Sequence, residues 1–320
     1  MFAAYAARID KDQPLEGLEL GDRPEPTVPD GWTTVDVKAA SLNHHDLWSL
    51  RGIGLGEESL PMTLGCDAAG IDAEGNEVVL HSVIGATGHG VGPREGRTLL
   101  TEKYQGTFAE RVAVPQWNVL PKPKELSFEE AACLPTAWLT AYRMLFTNAG
   151  VRPGDSVLVQ GAGGGVATAA IVLGAAAGLR MFATSRHEDK RKRAVELGAE
   201  AAVETGARLP QRVDAVLETV GAATWSHSLK SLKPGGTVVI SGATSGPNPP
   251  AAELNRVFFL ELKIVGSTMG SKEELASLLN FCAAKGVRPV IDSSLPLDRA
   301  REGFVKMAEG DLFGKVVLTV

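Results

Sequence analysis

The chain has 320 residues, 44% hydrophobic and 22% charged, with 32 basic against 38 acidic side chains and a formal net charge of −6. That length suits two globular domains, and the absence of a basic surplus argues against a nucleic-acid binder. Three scattered cysteines, Cys66, Cys133 and Cys282, contain no CxxC pair, so they suggest buried small residues rather than a disulfide framework or a thiolate metal site. The opening MFAAYAARIDKDQPLEG lacks the basic start and long apolar core of a secretory signal, and no segment approaches about 18 clean apolar residues. A cytoplasmic protein with no membrane partner is expected.

In chain order, the first 120 or so residues read as strands between glycine- and proline-rich turns. Residues 32–40 alternate, with Val35 and Val37 on one face and Asp36 and Lys38 on the other. Residues 77–83 and 106–114 are further strand candidates. Ser127 and Glu130 then form a capping-box pattern for a helix from Phe128 to about Cys133, which Pro135 would interrupt. A second helix, roughly 137–149, would stop at Gly150. From there a βα rhythm begins. Strands are expected at 156–160, 180–185, 214–220, 236–242 and 262–268, and helices at 166–178, 187–197, 223–232 and 271–285. Such alternation predicts an α/β fold with a mostly parallel sheet covered on both sides. The tail, 311–320, reads as one more strand that returns to the first domain. Trp48, Trp117 and Trp138 are read as core residues.

The chemistry concentrates where the strand ending at Gln160 runs into GAGGGVA. Consecutive glycines tolerate positive φ and let a ligand approach the backbone, and the helix that follows offers free N–H groups to a pyrophosphate. The spacing departs from G-x-G-x-x-G. Gly161, Gly163 and Val166 fail at the third position, and the shifted alignment puts Ala162, Gly164 and Ala167 there. The strand–turn–helix context supports dinucleotide binding, with Ala162, Gly164, Gly165 and Val166 as the cradle. A site for a free ribose 2′-hydroxyl wants a carboxylate at the end of the next strand. Ser185 and Arg186 stand there instead, with Lys190 four residues further on, a set that suits a 2′-phosphate and hence NADP(H). In the competing reading Ser185 and Glu188 are a capping box, and residues 186–193 are a solvated helix face supported by Glu188–Lys192 and Asp189–Arg193 pairs.

The ordered set ASLNHHDLWSLRG (40–52), PMTLGCDAAG (61–70), GTFAERVAVP (106–115), LPTAWLTAYRML (134–145), the glycine turn, ELGAE (196–200), LKPGGTVVISG (232–242) and FGKVVL (313–318) resembles the medium-chain dehydrogenase/reductase superfamily, and is most similar to its zinc-free quinone oxidoreductase-like branch. The resemblance implies a GroES-like β-rich catalytic domain over 1–122, completed by 290–320, and a Rossmann doubly wound cofactor domain over 123–289. It implies an active site in the cleft, a homodimer, and cofactor contacts from Thr140, Gly242, Ala243, Ser267, Gly314 and Lys315. At the positions where zinc-dependent relatives carry ligands, this chain has Asn43, Cys66 and Thr136, and the cysteine-rich structural zinc lobe is missing. Asn43 is then the candidate donor to a substrate oxygen, His44 or His45 a proton relay, with His44 the candidate named for the site, and Asp46 the residue that orients the loop. Adjacent His44 and His45 on a strand would point apart. No resident metal is expected. The function implied is NADPH-dependent hydride transfer to a quinone, enone or related carbonyl. The rival readings are a zinc alcohol dehydrogenase with a rearranged site and a cofactor-binding relative without turnover.

Overall fold

A computed structural model describes residues 1–85 and 96–320. The chain folds as two compact units, residues 1–139 with 269–320, and residues 140–268. Segments 123–139 and 269–289 therefore pack with the first unit.

The first unit is β-rich. Its axis is the strand Trp32–Ser41, where Val35 and Val37 are buried and Asp36 and Lys38 exposed, as the alternation predicts. This strand pairs antiparallel with Asp67–Asp72, Arg111–Pro115 and the C-terminal strand Lys315–Thr319. Lys315–Thr319 in turn pairs parallel with Ile291–Pro296, so the chain end is an interior strand of this sheet. A second sheet joins Phe2–Ala6 to Leu18–Asp22 and Met62–Thr63. Val37, Leu42, Leu50, Phe108, Phe304 and Leu318 contribute to the core, with the Phe108 and Phe304 rings edge to face at 5.9 Å.

The Ser127–Glu130 capping box forms. The Glu130 N–H donates to Ser127 Oγ at 3.1 Å and the Ser127 N–H to Glu130 Oε2 at 2.9 Å, opening helix Phe128–Ala132. Pro135 does not stop the helical path. It lies in the first turn of a wide π-helical segment, Leu134–Trp138, where its missing N–H removes no needed bond. Of the three tryptophans expected inside, Trp138 is fully buried and Trp48 half-buried, but Trp117 is 65% exposed.

The second unit carries one sheet of six parallel strands: Ser156–Val159, Arg180–Thr184, Ala199–Val203, Val213–Glu218, Leu232–Ile240 and Lys263–Gly266. Numbered in chain order, they lie 3-2-1-4-5-6. That is the doubly wound arrangement, with the strand order reversing beside the first strand. Helices Gly165–Ala176, Glu188–Glu196 and Trp225–Ser231 connect the strands. Leu158, Phe182, Val216, Leu229 and Val238 belong to the unit's buried apolar cluster. The fold is α/β, with a β-rich domain and a Rossmann-type domain.

Candidate functional site

In the second unit the first strand ends at Val159 and the chain turns through Gly161 and Gly163, with φ of +77° and +140°. A side chain at either position would be strained, so glycine is required by the backbone path. The helix Gly165–Ala176 begins directly after Gly164. Ala162 is buried and its N–H donates to Thr184 O at 2.7 Å. Gly164 is exposed, and no atom lies within 4 Å of where its Cβ would be. Gly165 and Val166 are half-buried in the first helical turn, whose N–H groups have no partner within the helix. This cradle of backbone donors at a strand's carboxyl end, beside the switch in strand order, fits a dinucleotide pyrophosphate.

The floor of the turn is a closed polar network. Thr184 Oγ1 donates to Gln160 Oε1 at 2.7 Å and accepts from the Gly161 N–H at 3.1 Å. Gln160 Nε2 donates to Ser228 Oγ at 2.9 Å, and Ser228 Oγ donates to Glu218 Oε2 at 2.5 Å. The fully buried Glu218 also accepts from the Val220 and Gly221 N–H groups and from Thr224 Oγ1. None of these floor residues follows from the glycine motif. A glutamate inside an apolar strand, VDAVLE, was the available signal.

At the end of the second strand Ser185 is buried and its Oγ accepts from the His187 N–H at 3.2 Å. The next helix starts at Glu188 with His187 as its cap, so Ser185 and Glu188 do not form a capping box. Arg186 is exposed, with no hydrogen-bond or ion-pair partner among the described residues. Lys190 is half-buried on the following helix. Arg191, which the motif did not single out, reaches back so that its guanidinium donates to Ser185 O at 2.8 Å. Glu188 and Lys192 do pair on the exposed side, at 2.8 Å.

Of the remaining positions of this unit, Gly242, Ala243 and Ser267 lie just past strand ends, and Thr140 lies in the helix Leu139–Tyr142. Gly242 and Ala243 follow the fifth strand in a loop tied to residues 219–223. There the Ser245 N–H donates to Val220 O at 2.7 Å and the Ala222 N–H to Gly246 O at 3.0 Å. Ser267 follows the sixth strand and donates to Asn148 Oδ1 at 3.0 Å, and Thr140 is buried.

The first unit gathers a different cluster, and register explains it. Ser41 lies opposite Asp67 on one side and opposite Val317 on the other, and just past the strand's end the Leu42 N–H donates to Val316 O at 2.9 Å, which leaves Lys315 beside Asn43. Lys315 Nζ donates to Leu42 O and Asn43 Oδ1, both at 2.6 Å, and to Asp67 Oδ2 at 3.3 Å. Asn43 Nδ2 donates to Asp67 Oδ2 at 2.8 Å, with Ser41 O at 3.3 Å and Cys66 Sγ at 3.7 Å. Ser41 Oγ and Ser82 Oγ complete the shell of the Asp67 carboxylate. Asp67 is 0% and Lys315 2% exposed. Asn43 is buried, and its amide hydrogens point at neighbours inside the cluster. The preceding Gly314 has φ +112°, and a Cβ there would lie 2.2 Å from Val290 O, so glycine lets this strand enter the sheet.

His44, His45 and Asp46 lie on a helix, His44–Leu50, rather than on a strand, and the two imidazoles still diverge because consecutive helical residues are about 100° apart. His44 keeps an exposed edge and meets Trp48 one turn on, ring centroids 6.4 Å apart. Crowding by the surrounding protein lowers its pKa, helped by the charges of Lys315 and Arg51. His45 is held on Thr101 Oγ1 at 3.0 Å, and burial lowers its pKa as well. Asp46 is fully buried and accepts from the Asn43 N–H at 2.8 Å and the Gly65 N–H at 3.1 Å, tying the helix start to the neighbouring loop. Burial raises its pKa to about 7 against the pull of those two donors.

A zinc ion at the implied positions does not fit these residues. The donors would be an amide, a thiol and a hydroxyl, and the amide oxygen already accepts from Lys315. Burial, with Asp67 and Asp46 adding, pushes the Cys66 thiol well above the usual range. Cys133 and Cys282 are buried too, both pushed up to about 12 by burial. Among the described residues no group of three or more His, Cys, Asp and Glu side chains is placed to hold a metal.

A doubly wound sheet with a glycine cradle, joined in sequence to a β-rich domain, defines a dinucleotide-binding oxidoreductase. The zinc-binding dehydrogenase family matches residues 165–284, and the alcohol dehydrogenase GroES-like domain family matches residues 29–124. A zinc-type alcohol dehydrogenase-like protein of Schizosaccharomyces pombe is 30% identical over 317 residues, covering 91% of each chain. The quinone oxidoreductase of Mus musculus is 28% identical over 303 residues, covering 89% of this chain and 88% of its own. A solved NAD-dependent alcohol dehydrogenase superposes with a TM-score of 0.90 at 36% identity, covering 100% of both chains. The chain belongs to the medium-chain dehydrogenase/reductase superfamily, as an oxidoreductase related to its quinone-reducing members.

Proposed function

We propose that the protein is an NADP(H)-dependent reductase that moves a hydride to a quinone, an enone or a related carbonyl without catalytic zinc. The observation that carries the cofactor choice is the end of the second strand, where Ser185 and an unpaired, exposed Arg186 stand in place of a carboxylate. A guanidinium there complements a 2′-phosphate, while a carboxylate would repel it. Ala162, Gly164, Gly165 and Val166 hold the pyrophosphate, Lys190 adds charge beside the 2′-phosphate, and Thr140, Gly242, Ala243 and Ser267 complete the cofactor site. The bound dinucleotide supplies the hydride. In the first unit, His44 with its exposed edge is the group that passes a proton to the reduced substrate. Its lowered pKa keeps the imidazole neutral near pH 7, so it acts as a relay rather than a fixed cation. Asn43 reaches a substrate oxygen only by turning an amide hydrogen away from the cluster. Asp46 orients the helix start, and Gly314 and Lys315 support the same region from the last strand.

The test is calorimetric titration with NADPH and NADH, followed by turnover on quinones and enones. Tighter NADPH binding with turnover on either substrate class supports the reading. Tighter NADH binding, as the relation to an NAD-dependent dehydrogenase would give, overturns the cofactor choice. Turnover on alcohols alone overturns the substrate class.

A homodimer is proposed with it. Among the described residues the last strand of the parallel sheet, Lys263–Gly266, pairs on one side only, and Leu254, Phe258, Phe259 and Ile264 near it are 45–77% exposed. An open strand edge flanked by apolar side chains suits a second copy of the same edge. Replacing Phe258 and Phe259 by aspartate is expected to give a monomer by sedimentation. An unchanged mass, or a monomeric parent protein, overturns it.

A further inference from the structure

We infer that the Thr136 hydroxyl is the hydrogen-bond donor to the substrate's carbonyl oxygen, a role Asn43 can fill only by breaking up its cluster. This donor role rests on the reductase reading and adds to it the side chain that meets the oxygen. Thr136 belongs to the π-helical segment Leu134–Trp138, which packs on the strand Asp67–Asp72. Wide turns of this kind are frequent at functional sites. Its Oγ1 lies 3.2 Å from Ser82 Oγ and 3.5 Å from Cys66 Sγ, and Ser82 Oγ donates to Asp67 Oδ1 at 3.3 Å. Thr136 thus ends a hydroxyl chain that begins at the carboxylate. Ser41, Asn43, Cys66, Asp67, Ser82 and Lys315 are all buried, whereas Thr136 is half-buried. It is the member of this group with surface left to offer a ligand.

The hydroxyl hydrogens set the direction of the chain. Ser82 has one, and the carboxylate, which only accepts, takes it. At the Ser82–Thr136 contact Thr136 is then the donor. Its hydrogen rests on a neutral oxygen at 3.2 Å, a long bond between uncharged groups. Turning it to a carbonyl oxygen exchanges one neutral bond for another and leaves Ser82 Oγ bonded to Asp67. Asn43 starts from the opposite position. Its amide donates to the Asp67 carboxylate at 2.8 Å, a charge-assisted bond and so a stronger one, and the same turn costs it more. As negative charge develops on the substrate oxygen, the Thr136 bond becomes the charge-assisted one, so it is strongest in the transition state.

The test uses the full chain, with T136V to remove the hydroxyl while keeping the shape and T136S to keep the hydroxyl, both checked by melting. Steady-state reduction of a benzoquinone and of cyclohexenone is followed with the dinucleotide the parent accepts. T136V is expected to lower kcat roughly 10- to 100-fold with KM within about threefold, and T136S to keep most of the parent's rate, because the lost donor acts on the transition state. para-Nitrophenol is a second probe that needs no turnover, since its coloured phenolate supplies a stable oxyanion. The parent and T136S should bind the phenolate about tenfold more tightly than T136V. The donor role is overturned if T136V keeps the parent's kcat, or if T136S falls as far as T136V, which would make the side chain a matter of fit. If T136V does not fold, T136A takes its place under the same criteria. If the parent reduces neither carbonyl, the reductase reading fails by itself. Phenolate binding that depends on the hydroxyl then still supports Thr136 as the oxyanion donor, and equal binding by all three proteins overturns it.

Discussion

Around the glycine turn the side chains are stripped away at the surface and the polar groups are saturated underneath. Gly164 stands exposed over the Gln160–Thr184–Ser228–Glu218 network, and the first N–H groups of the helix face outward. Around Asp67 there is no such opening. Every polar side-chain atom of Asn43, Asp67 and Lys315 finds a partner within the cluster, and all three residues are buried. The difference teaches how each site treats a charge. The first leaves donors for one that arrives with a ligand. The second already holds both signs within the chain, and beside it only His44 is exposed among His44, His45 and Asp46.

A large effect should come from the floor. Glu218→Ala removes the acceptor of four buried donor groups and is expected to cost about 3 kcal/mol or more in denaturant unfolding, with Glu218→Gln costing less. A loss below about 1 kcal/mol would mean the floor does not hold the turn. The next concerns pH. Burial holds the Asp46 carboxyl at about 7 in the folded protein, against an ordinary value of 3.8. A raised carboxyl pKa favours the fold while protonated, so this contribution is complete below pH 4 and is lost as pH rises through 7, by about 4 kcal/mol in total. Asp46→Asn, which mimics the protonated acid, should flatten the stability profile across that window. An unchanged slope would show that the two backbone donors outweigh burial.

Smaller effects test the open site. Gly163→Val forces a branched side chain to φ +140° and should weaken binding of either dinucleotide about tenfold or more while costing about 1–3 kcal/mol of stability. Arg186→Ala should weaken NADPH about tenfold and leave NADH unchanged, since it removes a charge-assisted bond to the 2′-phosphate alone. Equal losses for both cofactors would place Arg186 elsewhere in binding. Smallest of all, Lys192→Ala breaks the exposed Glu188 pair and should leave the melting temperature where it was.

The sequence by itself determined the local features. Alternation at 32–40, the Ser127–Glu130 box, the glycine turn and the βα rhythm are short-range patterns in which each residue's geometry depends on near neighbours, and all of them formed. Those patterns gave the fold class and the cradle. Other elements needed partners far along the chain. The strands Phe2–Ala6 and Ile291–Pro296 and the helix His44–Leu50 carry little periodicity of their own and exist because distant segments pair with them or pack on them. The Asp67 cluster is the clearest case. Positions 43 and 315 lie far apart in sequence, and only the antiparallel register of Lys315–Thr319 on Trp32–Ser41 turns Lys315 inward onto Asn43. The family resemblance implied a lysine near a cofactor and an asparagine free to donate. Strand pairing put the two in contact and used up their hydrogen bonds, because a buried charge is stable only where its partners are already fixed in place.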